Sequence, residues 1–169
     1  SSTDFDPSTL DEVVERAVAM AKAAPEDAYC GLADPGQLVT DPPVIDMHDA
    51  TEPSNDALIE AARIAEDAAR AVPGITNTEG AEPAGSQAQI ATATTRGFAT
   101  AYATSSHSRA ASVLAGEGTA MERDYDYTSA VYYADLEDPA EIGRRAGERA
   151  VKRLNAKKVK TQQVPVIYD

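Results

Sequence analysis

Apolar residues return at helical spacing in three stretches of the chain. Leu10, Val13, Val14, Ala17, Val18 and Ala21 predict a helix from about Thr9 to Ala24, capped by Ser8 with Asp11 three residues on, and stopped by Pro25. Leu58, Ala62, Ala65, Ala69 and Val72 predict a second, mostly alanine, from about Ser54 to Val72, with Pro73-Gly74 closing it. Ile142, Ala146, Ala150 and Leu154 mark the buried face of a third. It opens at Asp138-Pro139, a cap followed by a proline suited to the first turn, and Glu141 completes a capping box.

The period changes to two between the second and third helices. Gln87 to Thr95 alternates, Arg96-Gly97 turns the chain, and Phe98, Thr100, Tyr102 and Thr104 share one side of the return strand. Ser108 to Ala115 continues that pattern as far as a second turn, Gly116-Glu117-Gly118. From Met121 to Tyr133 the residues alternate again, with Met121, Arg123, Tyr125 and Tyr127 opposed to Glu122, Asp124 and Asp126. These patterns predict an α+β fold: an antiparallel β-meander of three strands, four if Ile75 to Glu79 pairs at the edge, with helices packed on one face. The stretch from Glu26 to Glu52, rich in Pro, Gly and Asp, reads as an extended strap over the surface.

Composition complicates this picture. Of the 169 residues, 33 are alanine, and Leu, Ile, Val and Phe together make up 28. That fraction, with a net charge of −13, falls on the disordered side of the usual composition line. Periodicity answers the objection, because small side chains let alanine helices lie close on a sheet. The expected core is thin, or shared with something outside these residues.

Charge is unevenly distributed. The segment 139–160 carries +6, which leaves −19 for the remainder. A basic stretch can bind nucleic acid, but a body at −19 repels phosphate at long range. The favoured reading is a solvated helix face whose charge offsets an acidic neighbour and suits the helix dipole. No apolar run approaches membrane-spanning length, and the first residues lack a signal-peptide pattern. Cys30 is the single cysteine, which excludes a disulfide framework and favours a cytoplasmic setting. Both ends read as cut.

Candidate chemistry is sparse. There is no glycine-rich phosphate loop, no nucleophile elbow and no paired cysteines. His48, in Asp46-Met47-His48-Asp49, sits among metal-type ligands, but in a polar loop with no regular element to fix their geometry. His107, in Ser105-Ser106-His107-Ser108, has adjacent hydroxyls that a strand would send to the opposite face, and it reads as solvent-facing. The most informative tract runs from Met121 to Thr128. There an arginine flanked by tyrosines can bind a peptide carboxylate or stack on a partner, so Met121, Arg123, Tyr125 and Tyr127 are the candidate peptide- or partner-binding residues. No residue is a candidate for catalysis or for metal ligation.

Several segments, taken in order, carry a resemblance. They are Gly74-Ile75-Thr76-Asn77-Thr78-Glu79-Gly80, Ser105-Ser106-His107-Ser108, Ala115-Gly116-Glu117 and Met121-Glu122-Arg123-Asp124-Tyr125-Asp126-Tyr127. This order and spacing resembles the middle region of the PmbA (TldE) branch of the TldD/PmbA metallopeptidase family, whose members are also labelled modulators of DNA gyrase. Ser1-Ser2-Thr3-Asp4 resembles the end of that family's first domain, and Lys157-Lys158-Val159 with Val164-Pro165-Val166-Ile167-Tyr168 the opening of its third. The resemblance implies a heterodimer with a TldD-type subunit that degrades unfolded or extended peptides, trims a microcin precursor and acts on an antitoxin. It places zinc and its His-Glu-x-x-x-His motif in the TldD-type partner, and this chain has no such motif.

The expected organisation is a helix and strap over 1–52, a helix–meander–helix domain over 53–158, and the start of a following domain over 159–169. The expected role is structural, building a substrate chamber or interface, with no cofactor, no activity in isolation, no nucleic acid and no membrane. The competing expectation is a free-standing acidic interaction module with no peptidase role, using the tyrosine–arginine strand.

Overall fold

The computed structural model describes residues 1–168 and resolves two compact units. One comprises Ser1–Thr40 with Thr94–Phe98, the other Asp41–Ala93 with residues 99–168. The last residue of the expected third segment, Asp169, lies outside the described residues.

In the first unit, helix α1 spans Pro7–Ala23. Its cap is Asp6, not Ser8: the Asp6 carboxylate accepts from the Ser8 backbone at 2.9 Å, and Pro7 takes the first helical position, where a missing N–H costs nothing. Ala24 is extended, as a residue preceding proline must be. No residue of α1 is buried, so its apolar stripe lies open. Arg96, at the tip of the long hairpin, pairs with Asp34 at 2.5 Å in the same unit.

The second unit holds helix α2 (Asn55–Arg70), strands β1 (Ile75–Ala81), β2 (Ala84–Ala93), β3 (Ala99–Ala115) and β4 (Glu122–Ala130), and helix α3 (Pro139–Arg153). All strand pairs are antiparallel, and the fold is α+β with an open four-stranded sheet. β3 is the spine. β4 runs along one side of its second half, from His107↔Ala130 to Ala115↔Glu122. Along the other side, β2 covers the first half of β3 and β1 the second. Pro83 interrupts that edge, while Glu82 and Ala110 exchange backbone bonds at 2.9 and 3.3 Å and carry the register across. Ile75 to Glu79 therefore does pair, in line with β2 rather than beyond it.

The two helices of this unit share one face of the sheet. Ala65 and Ala69 of α2, Ala111, Val113 and Ala115 of β3, and Ile142, Ala146 and Ala150 of α3 form one buried cluster. Alternate residues of β3 face it, and Ile75, Ala81, Val151 and Leu154 pack around it. Ser54 caps α2 through its hydroxyl, and Asp138 caps α3. Glu141 does not complete a capping box at α3. Its carboxylate instead takes Arg144 at 2.6 Å, one turn along.

Glycine sets the distance between the helices. A Cβ on Gly143 would sit 1.9 Å from the Ala65 carbonyl oxygen, and one on Gly147 would sit 2.7 Å from a Val72 methyl. The backbones of α2 and α3 thus approach to a separation that only glycine permits, over alanines that contribute little bulk of their own.

Candidate functional site

The sheet divides chemistry between its two faces. On β4, Glu122, Asp124, Asp126 and Thr128 turn toward α3, while Arg123, Tyr125 and Tyr127 turn away. The inward row is acidic, and α3 answers it. Asp126, only 4% exposed, receives Arg145 and Arg149 on its two oxygens, each at 2.6 Å. Arg145 also reaches Glu137 at 2.7 Å, and Arg153 approaches Asp124 and Glu122 at 3.4 and 3.5 Å. The basic helix face offsets an acidic strand of its own fold. Charge-assisted bonds hold the Arg145 guanidinium above its ordinary pKa, with Glu137 the larger cause and Asp126 next.

The outward row contains every candidate binding residue. Met121, just before β4, is exposed, as are Tyr125 and Tyr127, whose rings stack with centroids 6.3 Å apart. Arg123, with a side chain 59% exposed, bonds the Glu79 carboxylate across β3, and the Ser112 hydroxyl donates to the same carboxylate at 2.7 Å. These bonds hold the Glu79 carboxyl below its usual range, Ser112 being the larger cause. An open depression of about 330 Å³ lies here between Glu79, Glu82, Ser112, Arg123 and Tyr125. The expected residues thus come together on one surface, and the arginine arrives already engaged.

A second polar cluster lies on the helix side, where sequence reasoning placed none. His107 is 1% exposed, so the solvent-facing expectation is overturned. Ser105 and His107 occupy the same inward alternation as Ala111, Val113 and Ala115, and the space beside His107 is filled by the edge of the Tyr133 ring, with centroids 5.6 Å apart. The Ser105 hydroxyl accepts from the Asp49 backbone at 2.8 Å and donates to the Val131 carbonyl at 2.9 Å, while Ser105 N–H donates to the Met47 carbonyl at 3.0 Å. Asp49 in turn accepts from Thr51 N–H at 2.9 Å and Tyr133 N–H at 2.8 Å. Bonds from Thr51, then Tyr133, bring its carboxyl down to about 2. This cluster stitches the end of the strap to the sheet. Its only sequence signal was Asp49 and His107 as separate polar residues, and nothing local paired positions 58 residues apart.

Asp46 turns toward Tyr132, whose hydroxyl donates to it, and this contact holds the phenol above its usual pKa. Among the described residues, no three His, Cys, Asp or Glu side chains are placed to hold a metal ion. No helix of the described residues is long and apolar enough to cross a membrane.

Comparison with known proteins bears on both faces. Residues 48–154, nearly two thirds of the chain, match the family model described as the PmbA/TldA metallopeptidase central domain. The chain belongs to that family. It is 35% identical over 169 residues to the metalloprotease PmbA of Escherichia coli O157:H7 and 32% identical to a metalloprotease PmbA homolog of Haemophilus influenzae, covering 99% of this chain each time. The chain spans 38% of the length of those relatives. Among solved structures, a protein of Bacteroides thetaiotaomicron that carries the name modulator of DNA gyrase superposes with a TM-score of 0.78 at 25% identity, covering 94% of this chain and 37% of that one. TldE from Thermococcus kodakarensis shares the fold, with a TM-score of 0.62 at 19% identity, over 89% of this chain and 34% of that one. The family's central domain therefore consists here of the α2–sheet–α3 layer pair, with one face closed by helices and the other open.

Proposed function

We propose that this chain is the central part of a PmbA (TldE)-type subunit in a TldD/PmbA peptidase assembly that degrades or trims unfolded peptides, and that it serves as wall or interface rather than as the seat of chemistry. The observation that carries this reading is the open outer face of the sheet. There Arg123 and Tyr125 line an open depression, Tyr127 stacks on Tyr125, and Met121 is exposed at the start of the same row, while the helix face is closed. Aromatic side chains and a planar guanidinium are the groups that give a surface affinity for an extended chain or a partner subunit at small entropic cost. In this reading residues 1–52 lead into the domain proper, 53–158, and 159–169 open a following one. The setting is cytoplasmic. Zinc belongs to the TldD-type partner; in this chain the carboxylates of Asp49, Asp126 and Glu79 are engaged by backbone amides, by Arg145 with Arg149, and by Arg123.

Co-purification of the full-length protein with a TldD-type partner, followed by peptidase assays of each alone and both together, tests the proposal. Activity only when both are present, lost when the partner's zinc ligands are mutated, is the expected result. Peptide cleavage by the full-length PmbA-type protein alone would refute it.

A further inference from the structure

β2 pairs with β3 in unbroken register, from Ala84↔Ser108 to Ala93↔Ala99, and has no strand on its other side. Glu82 and Ala110 exchange both backbone bonds, and at the far end Thr94 N–H donates to the Phe98 carbonyl at 2.8 Å. Even-numbered residues of β2 therefore turn their main-chain groups to β3. The N–H and C=O groups of Gly85, Gln87, Gln89, Ala91 and Ala93 point the opposite way, and no described residue bonds them.

Natural sheets blunt such an edge with charge, bulges or proline. β1, in line with β2, has these devices: its pairing to β3 slips twice, Glu79 lies within it and Glu82 just beyond. β2 has none. It carries no ionisable side chain in a chain that is 25% charged, and Pro83 only precedes it. All of its residues are exposed except Ile90, which is half-buried. An edge this long, regular and uncharged is a template for another strand.

The sequence of β2 fits a copy of itself. A two-fold axis at Gln89 sets Gln89 opposite its own copy, Gln87 opposite Ala91 and Gly85 opposite Ala93. All of these carry free main-chain groups, so the pairing closes about ten hydrogen bonds, the usual number for a protein interface. Between them Ser86 meets Thr92 and Ala88 meets Ile90, with no like charges opposed. The strand is about 34 Å long and a sheet about 10 Å thick, so each copy buries on the order of 340 Å², less than a stable complex needs. With −13 on each chain, the association is weak.

We propose that β2 is a self-association edge: two copies of this chain join β2 to β2, antiparallel about Gln89, into one continuous sheet. An isologous contact uses up the edge, so assembly stops at two. The edge is separate from the Arg123 surface, and the inference does not rest on the subunit reading: either can fail without the other.

Analytical ultracentrifugation of the 169-residue chain, up to about 500 μM, tests it. We expect a monomer–dimer equilibrium with a Kd on the order of 100 μM, tightening severalfold in about 0.5 M NaCl as repulsion is screened. Gln89→Lys sets two ammonium groups together at the axis, and Ala91→Pro removes a donor that β3 does not use. Each should weaken the dimer at least about tenfold with Tm retained. If Ala91→Pro does not fold, Gln89→Lys decides. In a Cys30→Ser background, Gln89→Cys should cross-link two chains under mild oxidation, its copy lying about 5.5 Å away between Cα atoms. Ala93→Cys should not, because its copy lies about 27 Å away. A monomer throughout the range, or a dimer indifferent to Gln89→Lys, overturns the proposal. So does cross-linking of Ala93→Cys as readily as of Gln89→Cys.

Discussion

Gly143→Ala adds one methyl group to α3 at a point where the backbone of α2 leaves no room for it. The new Cβ would lie 1.9 Å from the Ala65 carbonyl oxygen, 2.8 Å from its carbon and 3.1 Å from its Cα. An ordinary contact needs a little over 3 Å, so the helices must part by more than about 1 Å, and no side chain can swing aside because all three neighbours are backbone. In an open helix the same change would stabilise by about 1 kcal/mol through propensity. Here that gain competes with overpacking, worth about 1–3 kcal/mol at ordinary core sites, and with loosened packing among Ala65, Ala69, Ile142 and Ala146. The backbone-to-backbone clash places the cost above that range, and we expect a net loss of about 2–3 kcal/mol. For a chain of this size that corresponds to a fall in Tm of roughly 4–12 °C. Urea and thermal denaturation followed by circular dichroism measure it, with Gly36→Ala as control, since nothing lies within 4 Å of a Cβ there. A Gly143→Ala protein as stable as its parent would show that α2 and α3 do not meet at this distance, and the account of the thin core would fail with it.

The remaining predictions address charge and the open face. Asp126→Ala removes the buried acceptor of Arg145 and Arg149, and should cost about 1–3 kcal/mol by urea denaturation, less than a fully buried pair because both arginines can return to water. Asp49 has a folded pKa of about 2 against 3.8 in the unfolded chain, so its contribution to stability is present above pH 4 and lost as pH falls toward 2. Tm measured across that window should fall more steeply in the parent than in Asp49→Asn; parallel curves would remove Asp49 from the account. Arg123→Ala should leave Tm within about 2 °C, since the side chain and its partner Glu79 are exposed, yet weaken capture of a TldD-type subunit or an extended peptide. Equal loss of stability and binding would return Arg123 to a purely structural role.

Much of this was legible in the residues. Helical period in alanine-rich stretches located α2 and α3, alternation located the strands, and the odd–even split set Met121–Tyr127 on the opposite side of β4 from Glu122–Asp126, while the structure decided which row faces away from α3. The role of the basic segment as counter-charge also followed from charge totals. These features are local or additive, and one-dimensional pattern carries them.

What sequence did not determine depends on distance in three dimensions. Ser105 and His107 look like exposed polar residues until β3 is seen to turn them to the covered face with Ala111, Val113 and Ala115, where a strap residue, Asp49, donates its backbone N–H to the Ser105 hydroxyl. Gly143 and Gly147 look like weak spots in a helix until Ala65 and Val72 are found against them. The chain by itself specified which segments are helix and which are strand, and that its core would be built from alanine. Only the tertiary structure decided how closely those alanines could come together, because a glycine's worth lies in the backbone that approaches it.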